Sequence, residues 1–161
     1  MRPITSMSAA LIAALTLVAC GGGGESTAEV PGGADPAAVQ VIDDWAHTLS
    51  KGDVDGAADY FAIPSVAQNG PTLKINNLAD AKLFNASLPC GGLLIEATTD
   101  GEFTIATFRL AERPGAGVCD ASAEAEAQTA FKIEDGKIIE WRRVLPGGED
   151  GGGPAAPQSS A

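Results

Sequence analysis

The chain has 161 residues, 45% of them apolar, with 20 Gly, 10 Pro and a formal charge of −11 at pH 7. That length makes one domain of ordinary size and is short for two. An acidic surface excludes a nucleic-acid partner, because neutralising phosphates takes clustered Lys and Arg, and it excludes charge-driven adsorption to anionic lipid. One His in the whole chain excludes sites built from several imidazoles, the common zinc sites among them, and no metal or cofactor is expected.

Residues 1–19 read as an export signal. Arg2 supplies the positive start, and the apolar run at 9–19 is about half the ~20 residues a membrane span needs. The run ends Leu17-Val18-Ala19-Cys20-Gly21, which resembles a bacterial lipobox. That resemblance implies lipid on Cys20, which becomes the first mature residue, and residence on the extracytoplasmic face of the cell membrane. Residues 20–34 are Gly-rich, lack apolar periodicity and read as a flexible tether; residues 146–161, rich in Gly, Pro, Ala and Ser, read as a disordered tail. The folded unit is therefore 35–145. With Cys20 acylated, Cys90 and Cys119 remain in a compartment where disulfides persist, and pairing is the simplest outcome, two free thiols the alternative.

Asp35-Pro36 opens a helix, Asp as N-cap and Pro at the first helical position, and Val39, Ile42, Trp45, Ala46 and Leu49 form its apolar stripe. Lys51-Gly52 closes it. Asp53 caps a short second helix with Val54, Ala57, Ala58 and Phe61 inward, ending before Pro64. Short strands are expected at 65–68 and 72–75 around the turn Asn69-Gly70-Pro71. Asn77 caps a third helix to about Ala86, with Leu78, Ala81 and Phe84 or Leu88 inward. Strands follow at 93–98, 102–112, 123–133 and 137–145, with Asp100-Gly101 a strong hairpin signal and Glu134-Asp135-Gly136 a three-residue turn. The pattern predicts an α+β fold: three N-terminal helices packed on a curved antiparallel sheet. In such a meander the segments before the first and third long strands lie at one end of the sheet, which brings Cys90 near Cys119.

Two stretches carry a family resemblance. Val41-Ile42-Asp43-Asp44-Trp45 with Leu49-Ser50-Lys51-Gly52-Asp53-Val54-Asp55-Gly56-Ala57-Ala58-Asp59-Tyr60-Phe61 resembles the first two helices of nuclear transport factor 2-like (SnoaL-like) domains, and residues 131–142, Phe-Lys-Ile-Glu-Asp-Gly-Lys-Ile-Ile-Glu-Trp-Arg, resemble their final hairpin. The resemblance spans 35–145 and implies a cone-like sheet wrapped by helices around a pocket. The fold hosts ketosteroid isomerases, polyketide cyclases and limonene-type epoxide hydrolases beside non-catalytic binding modules, so it leaves function open.

The epoxide hydrolase pattern places an acid two residues beyond an Arg of the middle strand and another after Trp-Arg of the last. Here the segments read Arg109-Leu110-Ala111 and Trp141-Arg142-Arg143: Arg109 matches and both acids are missing. An isomerase of the ketosteroid type would need a carboxylate base and a Tyr–Asp oxyanion hole, and Tyr60 is the one Tyr. His47, a turn after Asp43 and Asp44, has the spacing of a general base with either as its orienting acid, but Gln40, Asp43, His47 and Ser50 share the polar face of the first helix. No catalytic residue is assigned. Strand parity puts Ile139, Trp141 and Arg143 on one face of the last strand, Phe131 and Thr129 across from Ile139 and Trp141, and Phe103, Ile105, Thr107 and Arg109 on one face of the long strand. If these faces meet, Tyr60, Arg109, Phe131, Trp141 and Arg143 frame an apolar pocket with two inward Arg, suited to an apolar ligand with an anionic or carbonyl group. The expected function is a lipid-anchored binding or accessory domain, non-enzymatic, for a small apolar ligand or an envelope protein; homodimerisation is compatible with it. The alternative is a SnoaL-like isomerase, cyclase or hydrolase of a hydrophobic small molecule.

Overall fold

The computed structural model describes residues 31–120 and 125–145, and the Cys20 lipobox, the signal at 1–19, most of the tether and the tail at 146–161 lie outside them. The elements run α1 (Pro36–Ser50), α2 (Val54–Ala58), β1 (Phe61–Gln68), β2 (Thr72–Ile75), α3 (Leu78–Ser87), β3 (Gly91–Asp100), β4 (Phe103–Ala111), β5 (Glu126–Glu134) and β6 (Lys137–Val144). The fold is α+β, with one curved six-stranded sheet in the order β2-β1-β6-β5-β4-β3.

The three helix starts follow from side-chain caps that offset otherwise orphaned amides. Asp35 Oδ2 accepts from the Ala38 amide at 3.2 Å, Asp53 Oδ1 from Gly56 at 2.8 Å and Asn77 Oδ1 from Asp80 at 3.0 Å. Three expectations about the helical half are corrected. Only α1 and α2 precede the sheet, since the β1–β2 hairpin separates them from α3. Phe61 opens β1 instead of closing α2: a β strand places its ring against Trp45 and Phe84, and α2 ends at Ala58. Leu78 is exposed at the start of α3, whereas Phe84 and Leu88 are both buried.

The sheet is mixed, not wholly antiparallel: β1 pairs parallel with β6, Ala67 beside Trp141. The β5–β6 hairpin turns on two residues, not three. Asp135 and Gly136 both have positive φ, 49° and 71°, the geometry that suits Asp-Gly to a tight hairpin. A bulge between Lys132 and Ile133 then resets the register. Phe131 pairs with Trp141 and Thr129 with Arg143, and Ile138, not Ile139, is buried with Trp141.

The core is a chain of edge-to-face aromatic contacts. Trp45 of α1 meets Phe61, Phe108 and Phe131 at centroid distances of 6.5, 6.2 and 5.4 Å, and Phe84 of α3 meets Trp141 at 5.0 Å. The Trp45 indole N–H donates to Asn85 Oδ1 at 2.9 Å, and Asn85 Nδ2 donates to the Ala81 carbonyl at 2.8 Å. Asn85 is wholly buried, so the Asn-Ala-Ser triplet it begins is a packing element and not a glycan acceptor. Cys90 and Cys119 form the expected disulfide, with Cα atoms 4.9 Å apart. Closing a loop of sequence separation 29 limits the unfolded chain, with a ceiling of roughly 3–4 kcal/mol. Asn85→Ala should destabilise the fold by about 1–3 kcal/mol, because it strands the Trp45 donor in the core; urea unfolding followed by Trp emission measures it.

Candidate functional site

A cavity of about 280 Å³ lies between α1 and the sheet. Trp45, Ala46 and Leu49 of α1 form one side. The sheet contributes Phe108 and Leu110 of β4, Ala127 and Thr129 of β5, and Trp141 and Arg143 of β6. Residues 88–92, the passage from α3 into β3, close the third side, with Asn69 and Asp120 at the margin.

The close approach of α1 to this wall depends on glycine. A Cβ on Gly91 would come within 2.7 Å of Ser50 Oγ and 3.0 Å of its Cα. Ser50 Oγ also accepts from the Gly92 amide at 3.0 Å and donates to the Gly92 carbonyl at 3.2 Å, pinning the end of α1 to the start of β3.

The lining is mostly apolar and aromatic, with its polar groups grouped on a few elements. Thr129 and Arg143 are cross-strand partners; Thr129 is buried, and Arg143 and Asp120 are exposed. The Trp141 indole N–H is buried and has no hydrogen-bond partner among the described residues. Asp120 is the one carboxylate among the described lining residues, and no His is among them. Among the described residues no group of three His, Cys, Asp or Glu is placed to hold a metal.

Of the residues singled out from sequence, Trp141 and Arg143 line the cavity. Three do not. Phe131 is wholly buried behind it, in contact with Trp45, Phe108 and Trp141. Tyr60 is half-buried against the core, where its carbonyl accepts from the Ile138 amide at 2.8 Å. Arg109 is exposed, paired across the sheet with Leu93 and Glu126. The expected inward parity of β4 is therefore reversed. Thr104, Ala106 and Phe108 face the core, because Phe108 packs on Trp45 and Phe131, and Arg109 falls on the outer face. The missed lining residues include Phe108 and Leu110 of β4, Ala127 of β5, Leu88, Asp120, and the α1 stripe residues Trp45 and Leu49, which the sequence placed in the core. Both faces of β4 carry apolar residues, so alternation alone could not choose between them.

The sequence matches no protein-family model and no curated protein. Solved structures do match in fold. A candidate ketosteroid isomerase from Kribbella flavida superimposes with a TM-score of 0.53 at 14% identity, over 76% of this chain and 85% of that one. A candidate polyketide cyclase from Sinorhizobium meliloti gives 0.51 at 17%, over 65% and 94%. A nuclear transport factor 2-like protein of unknown function from Cytophaga hutchinsonii gives 0.50 at 8%, over 66% and 87%. The fold is thus the nuclear transport factor 2-like fold, and identities this low carry the fold alone.

His47 is exposed on α1, outside the cavity lining, and Asp43 lies one turn before it. Burial, and then the neighbouring Asp44, raise the Asp43 carboxyl above its ordinary 3.8, and His47 partly opposes them. The folded state therefore holds this proton more tightly than the unfolded chain. Ionisation costs stability as pH rises through the range just above 3.8. Asp43→Asn should be at least as stable as the parent at neutral pH, with its advantage fading as pH falls through that range. Thermal unfolding across pH reads this, and a parent gaining on the variant at neutral pH would contradict it.

Proposed function

We propose that this domain is a binding module for a small, largely apolar molecule carrying a hydrogen-bond acceptor. The observation that carries the reading is the cavity itself. It has aromatic and aliphatic walls, Thr129 and Arg143 side by side across β5–β6, and no imidazole or buried carboxylate among its described lining residues to move a proton. An acceptor on the ligand could also satisfy the buried Trp141 donor, which otherwise costs about 1–3 kcal/mol. In the cell the module would be held at the extracytoplasmic face by lipid on Cys20, where it could serve a small ligand or an envelope protein. The Leu17–Cys20 sequence supports that placement, and among the described residues no helix is long and apolar enough to cross a membrane.

The second reading is an enzyme acting on a hydrophobic small molecule. Asp120 at the cavity margin favours it, as do two fold neighbours described as a candidate cyclase and a candidate isomerase. Turnover of a hydrophobic carbonyl compound that disappears in Asp120→Asn would establish this reading over the first.

Both Trp residues of the chain line the cavity, so intrinsic fluorescence reports on it directly. Naphthoate, an aromatic carboxylate, should change the Trp emission in a saturable way. Ala127→Phe, which fills the cavity from β5, should weaken that binding at least about tenfold with the fold retained. Equal binding by the variant would overturn the site. For the anchor, Cys20→Ser should move the protein from the membrane fraction to the soluble fraction, since stable residence takes two or more acyl chains. Undiminished membrane retention of that variant would reject the lipid.

A further inference from the structure

The wall at residues 88–92 poses a problem that its own sequence cannot solve. α3 ends with Leu88 extended at ψ 117° immediately before Pro89. Proline has no N–H, and an extended residue does not turn the chain back. The Leu88 amide donates to the Asn85 carbonyl at 3.3 Å and Ser87 Oγ to the Phe84 carbonyl at 2.6 Å, but no Schellman or left-handed turn follows to supply the remaining carbonyls with amides.

The donors come from Arg113, in the loop after β4. Its Nε and Nη2 donate to the Leu88 carbonyl at 3.1 and 2.7 Å, and Nη2 also reaches the carbonyls of Asn85 at 3.0 Å and Ala86 at 3.4 Å. The residue is 5% exposed and has no carboxylate partner among the described residues; its charge rests at the negative end of the α3 dipole. Burial alone pulls its pKa below the ordinary arginine value. The same loop is held on its other flank, where a Cβ on Gly52 would come within 2.7 Å of the Pro114 carbonyl oxygen. It then delivers Cys119 to the disulfide with Cys90, and Asp120 to the cavity margin.

We infer that Arg113 is the positioning residue of the cavity: its guanidinium fixes the main chain at Leu88 and so sets the wall on which a ligand packs. The disulfide secures the Cys90 side chain, whereas Arg113 holds the main chain by the carbonyls of Asn85, Ala86 and Leu88. A lysine in its place offers one ammonium and cannot reproduce the fork that spans three carbonyls. The consequence for ligands rests on the binding function proposed above, while the consequence for the wall is independent of it.

The test uses the full chain with its disulfide intact and compares Arg113→Met and Arg113→Lys with Ile138→Val, which thins the core away from the cavity lining. Two quantities are read: hydrogen exchange of the amides at 90–92, and naphthoate affinity from Trp emission. Arg113→Met should speed exchange at 90–92 and weaken naphthoate at least about tenfold. Arg113→Lys should fall between it and the parent, and Ile138→Val should lower Tm without either change. Exchange at 90–92 no faster than in Ile138→Val, or an affinity that falls only in step with Tm, would overturn the inference. If the parent takes up no naphthoate, the binding function fails, and exchange at 90–92 alone decides the role of Arg113. If Arg113→Met does not fold, Arg113→Lys carries the same two readouts.

Discussion

The hydrogen bond from the Trp45 indole to Asn85 ties the two halves of the molecule together. Trp45 is the largest side chain on the buried stripe of α1, and its ring meets aromatic rings from β1, β4 and β5. A ring of that size buries on the order of 150–250 Å² and needs a partner for its N–H. Asn85 supplies it from α3, and its own amide is satisfied within that helix by the Ala81 carbonyl. The pair thus sets the position of α3 relative to α1. The wall of residues 88–92 begins three residues beyond Asn85.

The cavity follows from that placement. α1 crosses the sheet closely at its C-terminal end, where Ser50 grips Gly92 and Gly91 leaves no Cβ in the way. Trp45 and Leu49 on the helix, and Phe108, Leu110 and Trp141 on the strands, then enclose a volume they do not fill. Close-packed interiors rarely leave such space without use, and the open end is where polar residues collect. The neighbouring Phe131 shows the contrast: one register step deeper along the same sheet, it is wholly enclosed by other rings and belongs to the core.

Charge is handled differently inside and out. The ion pairs are surface features, Lys82 with Asp55 and Lys132 with Glu102, and pairs of this kind contribute little to stability. On the outer face of the sheet Arg142 pairs with Glu140 and lies 5.0 Å over the Phe103 ring. Arg113 is the exception. It is buried without an acid among the described residues, and backbone carbonyls at a helix terminus take the role that a carboxylate plays elsewhere.

What the sequence determined by itself was local chemistry. Asp35, Asp53 and Asn77 marked the helix starts, because a short acceptor side chain satisfies amides two or three residues away. Asp100-Gly101 marked the β3–β4 hairpin, whose loop falls one residue on at Gly101-Glu102, and the leftover pair of cysteines marked the bridge that closes its open end. The tertiary structure decided everything that depends on which surfaces meet. Phe108, not Arg109, faces inward because aromatic partners from α1 and β5 wait on that side, and alternation is silent about which face is buried. A single bulge at Ile139, opposite the step from Lys132 to Ile133, put Ile138 in the core in its place. The parallel pairing of β1 with β6 joins residues more than seventy positions apart. Nothing local announces the role of Arg113, in the Arg113-Pro114-Gly115-Ala116-Gly117 segment, because the carbonyls that hold it lie 25 to 28 residues earlier in the chain. Caps and turns are settled within a few residues, whereas faces, registers and the cavity wall are settled by packing between segments distant in sequence.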